Sequence, residues 1–152
     1  MPDPRLTDPA TFSHWHPILP RFRDLDVLGH VSHVSTVSWL EEARVALELP
    51  IQPIEELKQR PVIVLAQLTM RFLAEVHWKD EVKVGSCLLQ LGRSSMTVGQ
   101  AIFSGGRCAI IADGVEVLIG QETRKPEPFP PDWRAYLEGY VARTSSAGGE
   151  SR

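Results

Sequence analysis

The chain has 152 residues, 43% of them hydrophobic and 23% charged, with a formal net charge of −3. That length and mix fit one globular domain around one core. The faint acidity and the lack of a dense basic block argue against a general binder of nucleic acid or anionic membranes, and no apolar run of about 18 residues is available to span a bilayer. Residues 1–13, rich in Pro and Asp, show no basic-then-apolar leader and read as a flexible lead-in to a cytoplasmic protein. A single domain is expected over 14–142. It opens with HWHPILPRF (14–22), where Pro17 and Pro20 permit only an edge or irregular strand.

The stretch 32–49 reads as a long, largely buried helix. Val34, Val37, Leu40, Ala43 and Leu47 recur at three or four residues, and Trp39, Val45 and Ala46 widen that stripe. Ser32 is a suitable N-cap, and Pro50 stops the helix. PIEELKQ (53–59) predicts a short helical piece. Four strands follow, over 62–76, 80–91, 94–104 and 107–120, separated by short polar or glycine links in the manner of an antiparallel meander. Residues 131–142 predict a short terminal helix, and the polar tail 143–152 reads as disordered.

One helix over five antiparallel strands is an α+β layer arrangement. Val62 to Leu65 is apolar on both faces, which one helix does not explain and burial in a homo-oligomer does. Cys87 and Cys108 lie in apolar stretches and read as free buried thiols. HWH (14–16) and HVSH (30–33) each bring two histidines close. Neither has a Cys or an acid at ligand spacing, so no metal site is expected.

The segments DLDVLGHV (24–31), WLEEAR (39–44), RFLAEVHWKDEVKV (71–84) and LGRSSMTV (91–98) together resemble the hot-dog fold acyl-CoA thioesterases of the 4-hydroxybenzoyl-CoA thioesterase type. The resemblance covers about residues 16–133. It implies a five-stranded antiparallel sheet wrapped around one long central helix, with protomers paired into dimers or dimers of dimers. It also implies hydrolysis of an acyl-CoA to the free acid and CoA, with CoA as part of the substrate and no separate cofactor. The second acid of the D-x-D pair, Asp26, takes the part of nucleophile or general base. The helix start near His33 supplies a backbone N–H to the thioester oxygen, a task suited to the free amides and positive dipole end of a helix.

His33 stands where relatives carry Asn or an aromatic residue, so His33 and His30 are both candidates for work at the site. Asp24 is assigned to holding the loop through backbone N–H groups. Arg93, Ser94, Ser95, Arg124 and Lys125 are the candidates for the nucleotide phosphates of CoA, by resemblance to basic turns that hold them in relatives. Val27, Leu28, Trp39 and Met70 are assigned to the core in preference to the pocket. No G-x-S-x-G is present to supply a serine nucleophile. Two other functions stay open: an acyl-thioester binding module without turnover, and an enoyl hydratase or dehydratase built on a His–Asp or His–Glu pair.

Overall fold

The structure, a computed structural model, describes residues 2–142. Five strands form one antiparallel sheet: β1 (His14–Ile18), β2 (Val62–Phe72), β3 (Val82–Leu91), β4 (Ser95–Ser104) and β5 (Arg107–Ile119). Their order across the sheet is β1-β3-β4-β5-β2. The central helix α1 (His33–Glu48) lies on one face, and α2 (Pro131–Glu138) closes one end. This is the hot-dog arrangement the resemblance implies. The expected tail, 143–152, falls outside the described residues.

Only β3, β4 and β5 form the meander. β2 crosses to the far side of β5, where Val62 faces Ile119 and Phe72 faces Ile110. The four-strand meander expected from spacing is therefore corrected. The reason is the link after β2. Its strand ends at Phe72, because the amides of Leu73 and Ala74 both turn to the carbonyl of Ala109. The connection 73–81 then crosses the end of the sheet, too long for a hairpin between neighbours. β1 stops at Ile18 and is an edge strand, as its prolines dictate.

Ser32 Oγ accepts the Val34 amide and caps α1, which runs four turns and ends two residues before Pro50. The buried face is rotated from the expected stripe. Leu40, Ala43 and Leu47 are buried with Trp39, but Val34 is 67% exposed, and Val37 and Val45 also face out. Trp39, Leu40 and Ala43 pack on Ile18, Val84, Ile102 and Ile110 from four strands. Leu47 joins Leu88, Met96, Leu118, Trp133 and Leu137 in a second cluster sealed by α2.

The space under the last turns of α1 is polar. Arg44 Nε lies 3.0 Å from Glu116 Oε1, and its Nη1 donates to Gln100 Oε1 at 2.9 Å. Gln100 Nε2 donates to the Leu40 carbonyl and to Ser86 Oγ. Glu48 and Glu116 are both buried, and Glu48 Oε1 and Glu116 Oε2 have no donor among the described residues. Burial first, then the neighbouring Glu116 carboxylate, holds the Glu48 carboxyl well above the ordinary range. One proton shared between the two acids leaves the cluster neutral with Arg44.

The loose lead-in expected over 1–13 is corrected for its described residues, 2–13. Two short 3₁₀ turns, Pro4–Thr7 and Pro9–Thr11, are capped by Asp3 and Asp8, and they lay Leu6 and Phe12 on the outer face of the sheet. Both side chains are buried, against Cys87, Ala101, Phe103 and Ile111. Glycines make the room: a Cβ at Gly85 would sit 2.6 Å from the Phe12 ring, and one at Gly99 2.7 Å from a Leu6 methyl. Composition hid this, because two hydrophobes at isolated positions give no periodicity. Cys87 is buried and Cys108 half-buried, both as free thiols. Burial pushes the Cys87 thiol up to about 12.

Candidate active site

The loop between β1 and α1 is built by its two aspartates. Asp24 Oδ2 accepts the Arg21 amide at 2.7 Å, and its carbonyl accepts the Ser32 amide at 2.7 Å. Asp24 thus holds the loop onto the helix start, the role assigned to it. Asp26 makes a tighter turn. Its Oδ1 accepts the amides of Leu28 (2.9 Å) and His30 (3.1 Å), while its own amide donates to the His30 carbonyl at 2.8 Å. Gly29 closes that turn at φ 78°, a left-handed conformation that glycine adopts without strain. Asp26 Oδ2 takes no hydrogen bond among the described residues. One oxygen builds the loop and the other is free.

Asp26 borders a cleft of about 390 Å³. His30, His33 and Thr36 line it from the loop and the first turn of α1; Phe72, Val76 and Ile110 form an apolar wall. Ser32 Oγ takes the Val34 amide, and the first-turn amides of His33 and Ser35 have no protein partner among the described residues. Asp26, His30, His33 and the start of α1 therefore meet beside an apolar wall. This arrangement can deliver a proton acceptor to one side of a polarised carbonyl and donors to its oxygen.

Sequence reasoning missed Glu75. It lines the same cleft, and its Oε2 lies 3.5 Å from His30 Nε2. The two residues are far apart in the chain, and Glu75 falls in a stretch that reads as the end of a strand. Nothing in its spacing points to His30. Val27 and Leu28, expected in the core, are exposed instead, because the Asp26 turn points them outward. Trp39 is core, and Met70 packs partly buried against it.

The five phosphate candidates gather elsewhere. The Arg93 carbonyl accepts the Phe129 amide, the Ser94 carbonyl accepts the Leu118 amide, and the Gly120 amide donates to the Lys125 carbonyl. These bonds set the β3–β4 turn beside the loop that carries Arg124 and Lys125. Arg93, Arg124 and Lys125 are exposed and form no ion pair among the described residues. Ser95 faces Val117 at the Val62 end of the sheet, while the cleft lies at the Phe72 end. The 11 residues of β2 separate the two ends, roughly 30 Å at extended-strand rise. Within one protomer the two halves of the candidate site do not meet. His16 pairs with Glu42 at 2.9 Å, and His14 stacks edge-on to Tyr140. No group of three or more His, Cys, Asp or Glu able to hold a metal occurs among the described residues, and none of their helices is long and apolar enough to cross a membrane.

Residues 20–137 match the family model described as the thioesterase-like superfamily. The chain belongs to that superfamily. A thioesterase from Thermus thermophilus, solved with coenzyme A and zinc, is 30% identical, over 86% of this chain and 95% of that one, with a TM-score of 0.75. The 1,4-dihydroxy-2-naphthoyl-CoA thioesterase of Synechocystis is 18% identical over 82% and 94%, TM-score 0.72. A DHNA-CoA thioesterase from Staphylococcus aureus is 21% identical over 83% and 89%, TM-score 0.74. The last two share the fold with this thioesterase-like chain. None of the curated proteins compared matches it.

Proposed function

We propose that the chain is an acyl-CoA thioesterase in which Asp26 drives the attack on the thioester carbonyl. The observation that carries this reading is the split carboxylate of a cleft residue: Asp26 lines the cleft with His33 of the α1 N-terminus, its Oδ1 is fixed by two loop amides, and its Oδ2 has no hydrogen-bond partner among the described residues. In the general-base route, water adds to the carbonyl carbon as its proton passes to Asp26 Oδ2. The developing oxyanion is held by the first-turn amides near His33. The C–S bond then breaks, and the proton returns from Asp26 to the leaving thiolate. In the nucleophilic route Asp26 Oδ2 itself adds to the carbonyl, the thiolate leaves, and water hydrolyses the mixed anhydride. Single turnover in ¹⁸O-water separates the two, since only the second can place label in Asp26. His30 and His33 line the reacting centre and orient water or the thioester.

Arg93, Ser94, Ser95, Arg124 and Lys125 hold the nucleotide phosphates, but for the partner's cleft. β2 is a long free edge with half-buried apolar residues, a surface that a soluble chain rarely leaves open. Pairing two such edges antiparallel about a two-fold axis sets the Val62 end of one protomer beside the Phe72 end of the other. A homodimer, alone or in a dimer of dimers, thereby completes the site.

The test is thiol release from a panel of acyl-CoAs, read with a thiol-reactive dye. Release by the wild-type protein, lost in Asp26→Asn, is the expected result. A folded protein that releases no thiol from any ester would overturn the reading. The His30–Glu75 pair favours one alternative, hydration of an enoyl thioester, and loss of enoyl absorbance without thiol release would identify it.

A further inference from the structure

From the charges around the cleft we infer that Glu75 is a specificity residue: it selects acyl groups that carry no carboxylate and turns away dicarboxylic half-esters of CoA. This rests on the thioesterase reading and names its substrate class. The cleft has two carboxylates, Asp26 and Glu75, and no Lys or Arg in its lining. The nucleotide end of CoA is polyanionic, so it cannot lie there and is drawn to the cationic end of the partner's sheet. The acyl end is what remains for the acidic cleft.

Glu75 is held to this position. Leu73 and Ala74 are tied to the Ala109 carbonyl, and Val76 is buried behind them. Arg107 donates to the Glu75 backbone carbonyl at 3.1 Å, and the carboxylate forms no ion pair with an Arg or Lys among the described residues. Among the described residues the one ionisable side chain paired with its carboxylate is His30, at 3.5 Å across the cleft. Asp26 from the loop and His33 from α1 are the other titratable groups facing this space. An acyl carboxylate entering between His30 and Phe72 meets Glu75 head-on. The Glu75 side chain is 56% exposed, so solvent screens the repulsion. At about 6 Å and a near-surface dielectric of about 20, with about half the interaction lost to that screening, it still amounts to roughly tenfold in binding.

The test compares kcat/KM for two esters of equal chain length, butyryl-CoA and succinyl-CoA. Wild-type protein is expected to prefer the neutral ester by about tenfold or more. Glu75→Gln should narrow that ratio, and Glu75→Lys should narrow it further or reverse it. Glu81→Gln removes an exposed acid from the same 73–81 connection, outside the cleft, and should leave the ratio where it was. Equal rates on both esters in the wild type, or an unchanged ratio in both Glu75 variants, would overturn the inference. The non-hydrolysable thioethers of the same two acyl groups, titrated by calorimetry, give the same ratio as affinities. Should no ester turn over, the thioesterase reading fails, and these affinities still decide what Glu75 does.

Discussion

In the proposed mechanism Asp26 has two duties that a substitution can separate. Its Oδ1 holds the amides of Leu28 and His30, and its Oδ2 has no hydrogen-bond partner among the described residues at the edge of the cleft. Asparagine keeps an acceptor oxygen for the two amides and loses the base. Asp26→Asn is therefore expected to melt within a degree or two of wild type and to lose at least ~10²-fold in thioester turnover, the low end for a general acid–base group. Asp26→Ala loses both, so its melting temperature should also fall. Near-normal turnover in a folded Asp26→Asn protein would remove Asp26 from the mechanism. At this scale the sequence was informative where the hydrogen bonds that build the loop lay in a local motif. Asp24, Asp26, Gly29 and the capping Ser32 are adjacent in the chain, and their hydrogen bonds are local. Glu75 was illegible because its relation to His30 exists only after β2 and the loop have folded onto one end of the sheet.

The elements were legible in number and order, and less so in which faces they bury. The apolar stripe on α1 indicated a helix and placed Leu40, Ala43 and Leu47 correctly inside, but it extended the inner face to Val34, Val37 and Val45, which are exposed. Arg44 and Glu48 are buried where Val34 and Val45 are not. Charged residues are seldom buried unless paired, so periodicity alone could not find them. The Glu48–Glu116 pair gives the helix–sheet layer a pH dependence with a definite sign. Folded Glu48 keeps its proton where unfolded Glu48, with a pKa near ~4.3, has lost it. The native state then binds more protons, and stability falls as pH rises from about 4.3 through neutrality, by at most ~1.4 kcal/mol per pH unit. Glu48→Gln supplies the N–H donor permanently. It should unfold at higher denaturant than wild type at pH 8, and the difference should shrink toward pH 4.5. Equal midpoints at both values would show that the pair holds no proton. The amino-terminal strap carries a companion test. Leu6→Ala should cost ~2–5 kcal/mol, the range for a buried leucine, whereas a truly loose lead-in would make it silent in urea unfolding.

For the whole molecule, the decisive relation is between the two ends of the sheet. The cleft lies at the Phe72 end and the cationic turns at the Val62 end. Family motifs named both sets of residues, but the distance between them could not be read from a linear chain, nor could β2's place at the sheet edge. If two-fold pairing of β2 edges brings one protomer's cleft to its partner's cationic end, the two functions should complement between subunits. Asp26→Asn destroys the chemistry of its own cleft. Arg93→Ala, Arg124→Ala and Lys125→Ala, combined in a second chain, weaken CoA capture for the partner's cleft. Each chain alone should be slow on the full CoA ester at sub-saturating concentration. Mixed dimers hold one site with both defects and one with neither, so unfolding and refolding the two chains together in equal amounts should restore about a quarter of wild-type activity. On an ester of the pantetheine arm alone, which lacks the nucleotide phosphates, the triple variant should be unimpaired. Mixing should then give no more than the average of the two chains. Were the cationic turns to serve the cleft of their own protomer, the mixed dimer would carry one defect in each site. No activity on the full ester would then return, and the two-fold arrangement built on the β2 edge would be wrong.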